Sequence, residues 1–125
     1  MKETFGKGKY FIGDICYALD DKIYDKIWGK VHGYKNGSFN VDKSKFVVSG
    51  TAHGDGCFMG SDGVKYGVDA GVIGVVPSIL FKKEDASFHG GRLVKVKKEL
   101  TFETDGKGLF RIVIDAKELI TINTR

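Results

Sequence analysis

The sequence predicts a mostly β protein: a small antiparallel β-barrel or sandwich of about seven to eight strands, with one short α-helix over residues 21–28. Three observations carry this. The chain has 18 glycines and one proline, and the glycines stand singly or in pairs between short apolar runs, as turn and bulge residues do. The run from Ala70 to Phe81 is apolar on both faces and β-branched, as in a strand buried on both sides. From Val94 onward, apolar and charged residues alternate, the signature of half-buried strands.

The elements follow in chain order. Lys9–Leu19 is aromatic and β-rich, which predicts a strand with a bulge or kink at Gly13. Asp20 fits a helix N-cap, and Asp21 places negative charge in the first turn. Ile23 with Ile27, and Tyr24 with Trp28, are four apart and share a face, while Gly29 ends the helix. Two turns do not stand alone in water, so this helix must dock on a sheet. Residues 30–44 are polar and turn-rich. Lys45–Gly50 reads as a strand and Thr51–Gly56 as a Gly-rich loop. Cys57–Gly60 and Val64–Val68 form a hairpin turning at Asp62-Gly63. Pro77 must end the apolar strand or sit at an unpaired position. The stretch from Val94 to Glu103, then Phe110–Ile114 and Leu119–Thr124, with turns at Asp105–Gly108 and Asp115–Glu118, makes an antiparallel meander. With 125 residues, no visible repeat and no internal linker, residues 1–125 form a single domain.

Composition narrows the function classes. Apolar residues make up 42% and charged residues 29%, enough apolar surface to oppose disorder. The net charge of +4 comes from intermixed signs and does not by itself point to nucleic acid. Arg92, Lys95, Lys97 and Lys98 would be the basic set for such binding. Yet Lys95 and Lys97 alternate with Val94 and Val96, and Glu99 and Glu103 share their face, so a solvated strand face is the better reading. No secretory leader pattern follows Met1 and no apolar run has bilayer length. A cytoplasmic protein with reduced Cys16 and Cys57 is the expectation.

Three clusters stand out: Gly13–Tyr17, Thr51–Cys57 and Tyr66–Gly71, each with an Asp within two residues of a glycine at a strand end. If these ends converge, Asp14, Asp55 and Asp69 could form a carboxylate cluster for acid/base work or a divalent cation. The alternative is that each Asp binds backbone N–H groups in its own turn. His53 and Tyr17 join the candidate binding residues, and Tyr24, Trp28 and Tyr34 are interface candidates, since aromatic residues anchor interfaces as well as cores. Cys16 or Cys57 with His53 offers the ingredients of a thiol catalyst without a local signature. Cys16, His53, Cys57 and His89 lack the short paired spacing of a zinc site. His53–Gly56 lacks the Lys and Ser/Thr of a phosphate-binding loop.

Together the clusters resemble those of a group of small uncharacterised phage and bacterial proteins. The shared motifs are a Gly-Asp-x-Cys-Tyr opening (Gly13–Tyr17), a Thr-x-x-Gly-Asp-Gly loop (Thr51–Gly56) and a Tyr-x-Val-Asp-x-Gly-x-Ile-Gly-x-x-Pro strand (Tyr66–Pro77). The resemblance spans residues 10–81, departs at Cys57, and implies a viral or mobile-element origin without transferring a catalytic residue.

The leading expectation is a non-enzymatic intracellular binding module, an accessory protein that recognises a host protein or small ligand and needs no cofactor. The alternatives are a small hydrolase using Asp14, Asp55 and Asp69 with a divalent cation, and a virion structural or assembly protein that self-associates through the apolar strand.

Overall fold

A computed structural model of the chain describes residues 1–19, 37–41, 44–69, 71–81 and 90–125. The helix expected over residues 21–28, with Tyr24, Trp28 and Tyr34, lies outside the described residues, as do His32 and His89.

Eleven strands run through the described residues: β1 (Lys2–Phe5), β2 (Gly8–Gly13), β3 (Gly37–Val41), β4 (Ser44–Gly50), β5 (Gly56–Met59), β6 (Lys65–Val68), β7 (Val72–Pro77), β8 (Gly91–Val96), β9 (Leu100–Thr104), β10 (Leu109–Ile114) and β11 (Glu118–Asn123). Short 3-10 turns occupy Ile15–Tyr17 and Ser78–Leu80. All pairings are antiparallel: a four-stranded sheet in the order β1-β9-β10-β11, a five-stranded sheet in the order β3-β4-β7-β2-β8, and the β5-β6 hairpin. The arrangement is a sandwich and not a closed barrel. It has more strands than the sequence pattern suggests. β1 and β3 are short end strands with little apolar content, and the stretch from Val94 to Glu103 divides into β8 and β9.

That division explains a continuous alternation. Val94 and Val96 on β8 face the same core as Leu100 and Phe102 on β9, although the two strands belong to different sheets. Between them the exposed Lys97, Lys98 and Glu99 turn the corner. The Asp115 carboxylate accepts all three of their backbone N–H groups at 3.1, 2.7 and 3.0 Å. Those hydrogen bonds hold its carboxyl below the usual range, the Lys98 and Lys97 amides foremost.

The main core fills the space between the sheets, with Phe102, Phe110, Ile112, Ile120 and Ile122 on one side and Ile12, Val47, Ile73 and Val75 on the other. A second cluster lies on the outer face of the five-stranded sheet. There Phe11, Phe46, Val48, Val72 and Val76 pack with Ile15, Leu19 and Leu80. β7 is therefore covered on both faces and paired on both edges, by β4 and β2. Both faces being dry, its sequence reads apolar throughout, and Pro77 closes it. Gly74 in its middle permits the close approach: a Cβ there would run into the carbonyl of Val47.

Two links tie the sheets at their margins. The β5-β6 hairpin bridges to β11 through Gly60 and Ile122, with Ser61 N–H donating to Thr121 O at 2.9 Å. At the other margin, Lys45 on β4 reaches the Glu3 carboxylate (3.2 Å) and the Thr4 carbonyl (2.7 Å) of β1. No helix among the described residues is long and apolar enough to cross a membrane.

Candidate functional site

The three Gly–Asp clusters meet at one end of the five-stranded sheet, and hydrogen bonds show how. β2 ends at Gly13, whose φ of 149° and whose bare Cα beside the Phe11 ring and Gly91 Cα leave no room for a side chain. Asp14 follows as the N-cap of the Ile15–Tyr17 turn and is completely buried. Its Oδ1 accepts the Cys16 N–H at 3.0 Å, and its Oδ2 accepts the Asp69 N–H at 2.8 Å. One carboxylate thus joins the first cluster to the third, 55 residues along the chain.

The second cluster joins the third by backbone. Thr51 N–H donates to Gly71 O at 3.0 Å, and the Thr51 hydroxyl donates to Gly54 O. Gly54 and Gly71 both have left-handed φ, at 79° and 78°, and their Cα atoms pass so closely that a Cβ on Gly71 would lie 3.7 Å from Gly54 Cα. Ala52 N–H is held by Thr124 Oγ1 at 3.0 Å, which anchors the loop to the chain end beyond β11.

Among these loops stands Tyr17, half-buried. Burial pushes its phenol up, and the negative charges of Cys16, Asp69, Asp14 and Asp55 push it further in the same direction. All three predicted aspartates therefore act on one hydroxyl. Their roles differ. Asp14 is enclosed and committed to backbone N–H groups, while Asp55 and Asp69 are exposed, as is His53 on the same loop as Asp55. Among the described residues no group of three or more His, Cys, Asp and Glu side chains is placed to hold a metal ion, so Asp14, Asp55 and Asp69 do not form a three-carboxylate cation site. Cys16 is half-buried and Cys57 exposed, and neither is in a disulfide.

A second polar constellation connects β6, β8 and β11. The fully buried Tyr66 donates its hydroxyl to Asp62 Oδ2 at 2.7 Å. Arg92 reaches Asp62 at 3.1 Å and grips Glu118 with both nitrogens, at 2.7 and 3.1 Å. Burial and the Asp62 hydrogen bond drive the Tyr66 phenol far above its ordinary range. Burial also pushes the Asp62 carboxyl up, but the Tyr66 hydroxyl, the Val64 N–H and Arg92 outweigh it, and the carboxyl ends below its ordinary value. This network fastens the hairpin to both sheets. It also takes Arg92 out of the basic set read from sequence, because its guanidinium is paired twice. The Asp62-Gly63 turn was legible in the sequence; partners at positions 92 and 118 follow only from topology.

No family model, curated protein or solved structure matches the chain.

Proposed function

We propose that the chain is a non-enzymatic binding module, with its contact surface on the joined loops: Tyr17 at the centre, the exposed Asp55 and Asp69 beside it, and His53 on the rim. The observation that carries this reading is the buried Asp14 carboxylate. By holding the Cys16 and Asp69 amides together, it sets Tyr17 and Asp69 on a fixed frame, and the Thr51–Gly71 hydrogen bond brings the Asp55 loop beside them. A preorganised surface loses less entropy on association than a floppy one. A half-buried tyrosine flanked by carboxylates suits a partner bearing lysine or arginine, with the ring as anchor and the acids as selectors.

The resemblance of the three motifs to small phage and bacterial proteins supports an accessory role in the cytoplasm of a bacterial host, toward a host protein or a small cationic ligand. Retention of a partner from bacterial lysate on the immobilised protein tests this. The partner is expected on the unaltered chain and lost with Asp55→Asn/Asp69→Asn and with Tyr17→Ala, while a Lys107→Ala control retains it. Identical retention by all variants refutes the reading. So does a cation-dependent hydrolysis that Asp55→Asn abolishes.

A further inference from the structure

The strand β8 carries a surface that the joined loops do not account for. It ends the five-stranded sheet, paired with β2 along its length. On its other edge, the Gly67 N–H reaches Gly90 O at 2.9 Å, just before the strand begins. No described strand pairs with Leu93–Val96 on that side. An end strand of this kind presents unpaired backbone donors and acceptors to any extended chain that approaches.

Side chains mark the same place. Tyr10, Ile12, Val94 and Val96 face the main core, so Lys9, Leu93 and Lys95 project from the opposite face. Leu93 is 40% exposed, an apolar side chain left on the surface of an end strand. Lys9 and Lys95 are direct register partners, and like charges directly opposite each other destabilise a pair of strands. Lys7 adds a third positive charge to the groove of about 430 Å³ that runs between Lys7–Lys9 and Leu93–Val96, and no acidic side chain lines it.

We propose that β8 accepts an extended acidic segment of a protein partner as an added strand. An apolar side chain of the segment lies beside Leu93, and a carboxylate two residues away lies beside Lys95, with Lys9 reaching toward it from the next strand, β2. Successive same-face side chains on a strand are two residues apart, so the spacing of Leu93 and Lys95 dictates that of the guest. The lysines then have two effects at once. They repel neutral or basic strands, as edge lysines do, and they admit a strand whose carboxylates relieve the Lys9–Lys95 repulsion. This surface lies at the far end of β2 from Asp14, and its test is independent of the joined loops.

The test is a titration of the isotope-labelled full chain, followed by amide NMR and hydrogen exchange, with four probes: a peptide repeating Val-Thr-Glu-Thr, which sets Val and Glu two apart on one face (the Glu–Val peptide), the same peptide N-methylated on alternate amides, a peptide repeating Val-Thr-Lys-Thr (the Lys–Val peptide), and a single-stranded oligonucleotide. The Glu–Val peptide is expected to shift the amides of Lys7–Lys9 and Leu93–Val96 and to slow β8 exchange, with affinity falling as salt rises. N-methylation is expected to weaken it by about tenfold or more, because strand addition needs main-chain hydrogen bonds. Lys9→Glu/Lys95→Glu is expected to exchange preference from the Glu–Val to the Lys–Val peptide. Three outcomes overturn the proposal: unmoved β8 amides, equal binding of the N-methylated peptide, or binding of the oligonucleotide alone. If the double variant does not fold, the N-methyl comparison on the unaltered protein decides.

Discussion

Replacing Asp14 with alanine removes a carboxylate that joins two of the three Gly–Asp loops. The side chain is fully buried and accepts two backbone N–H groups at 3.0 and 2.8 Å. A hydrogen bond to a charged group is worth about 1.5–3 kcal/mol net, and a buried donor left without a partner costs about 1–3 kcal/mol. Cys16 is half-buried and the Asp69 side chain is exposed, so water can reach part of the gap and the lower half of the range applies. Relief from burying a carboxylate offsets a further part. The expected loss is about 2–4 kcal/mol. For a chain of this size that lowers Tm by about 10 °C. Asp14→Asn, which keeps one acceptor oxygen but turns an NH₂ toward the second amide, should recover less than half.

Urea unfolding supplies the free energy, and hydrogen exchange at the Asp69 amide supplies a local readout. That amide is expected to be protected in the unaltered protein and to exchange freely in Asp14→Ala. Asp55→Ala, at an exposed position, should stay within about 0.5 kcal/mol of the unaltered chain. The reasoning fails if Asp14→Ala costs less than about 1 kcal/mol while Asp55→Ala costs as much or more. The frame would then be the loop backbone alone, with Asp14 an incidental occupant.

The remaining predictions concern charge and space. Asp55→Asn/Asp69→Asn is expected to lower the Tyr17 pKa, since two of the negative charges that raise it are gone; ring-carbon NMR titration reads this, and an unmoved value would show that the loops do not surround the phenol. For Asp62 the folded pKa lies below the ordinary 3.8, so its contribution is present above that value and is lost as pH falls through the folded pKa. Urea midpoints should drop below about pH 4, and Asp62→Asn should flatten part of that drop. Gly91→Ala would press a Cβ into the Phe11 ring and the Ile12 carbonyl, at a cost of about 1–3 kcal/mol. A melting temperature equal to that of the unaltered protein would show that the Gly13–Gly91 approach is slack.

The parts of the fold that could be read from the chain were those where one physical signal was undiluted. β7 is apolar because both its faces are dry, and the β9-β10-β11 meander alternates because one face is wet. The Asp62-Gly63 hairpin announces itself through Gly63, with φ at 82°. β1 carries no such signal because only Phe5 among its residues is buried, and β3 carries none because an end strand needs little apolar content when its neighbour supplies the core. In the site, each Gly–Asp pair was legible as a turn from local chemistry. Their convergence was not, because it depends on the pairing of β2 with β7 and on a carboxylate reaching across 55 positions. The pairing of Arg92 is equally non-local: it precedes the alternating stretch, and only the fold brings Asp62 and Glu118 to it.

The β2-β8 pair connects the two proposed surfaces. Gly13 stands opposite Gly91 at one end of it and Lys9 opposite Lys95 near the other, so the acidic loops and the basic groove sit at the two ends of one rigid ribbon. Over the four residue steps from Lys9 to Gly13 that separation is about 14 Å, beyond the ~8 Å screening length at physiological salt, so neither charge cluster neutralises the other. Had they been adjacent, Asp55 and Asp69 would have paired with the lysines and both surfaces would have been spent internally, as Arg92 is on Glu118. Separation along a shared strand pair keeps both available, and under the two proposals it would let one protein meet a basic group at the loops and an acidic strand at the sheet edge without the two competing.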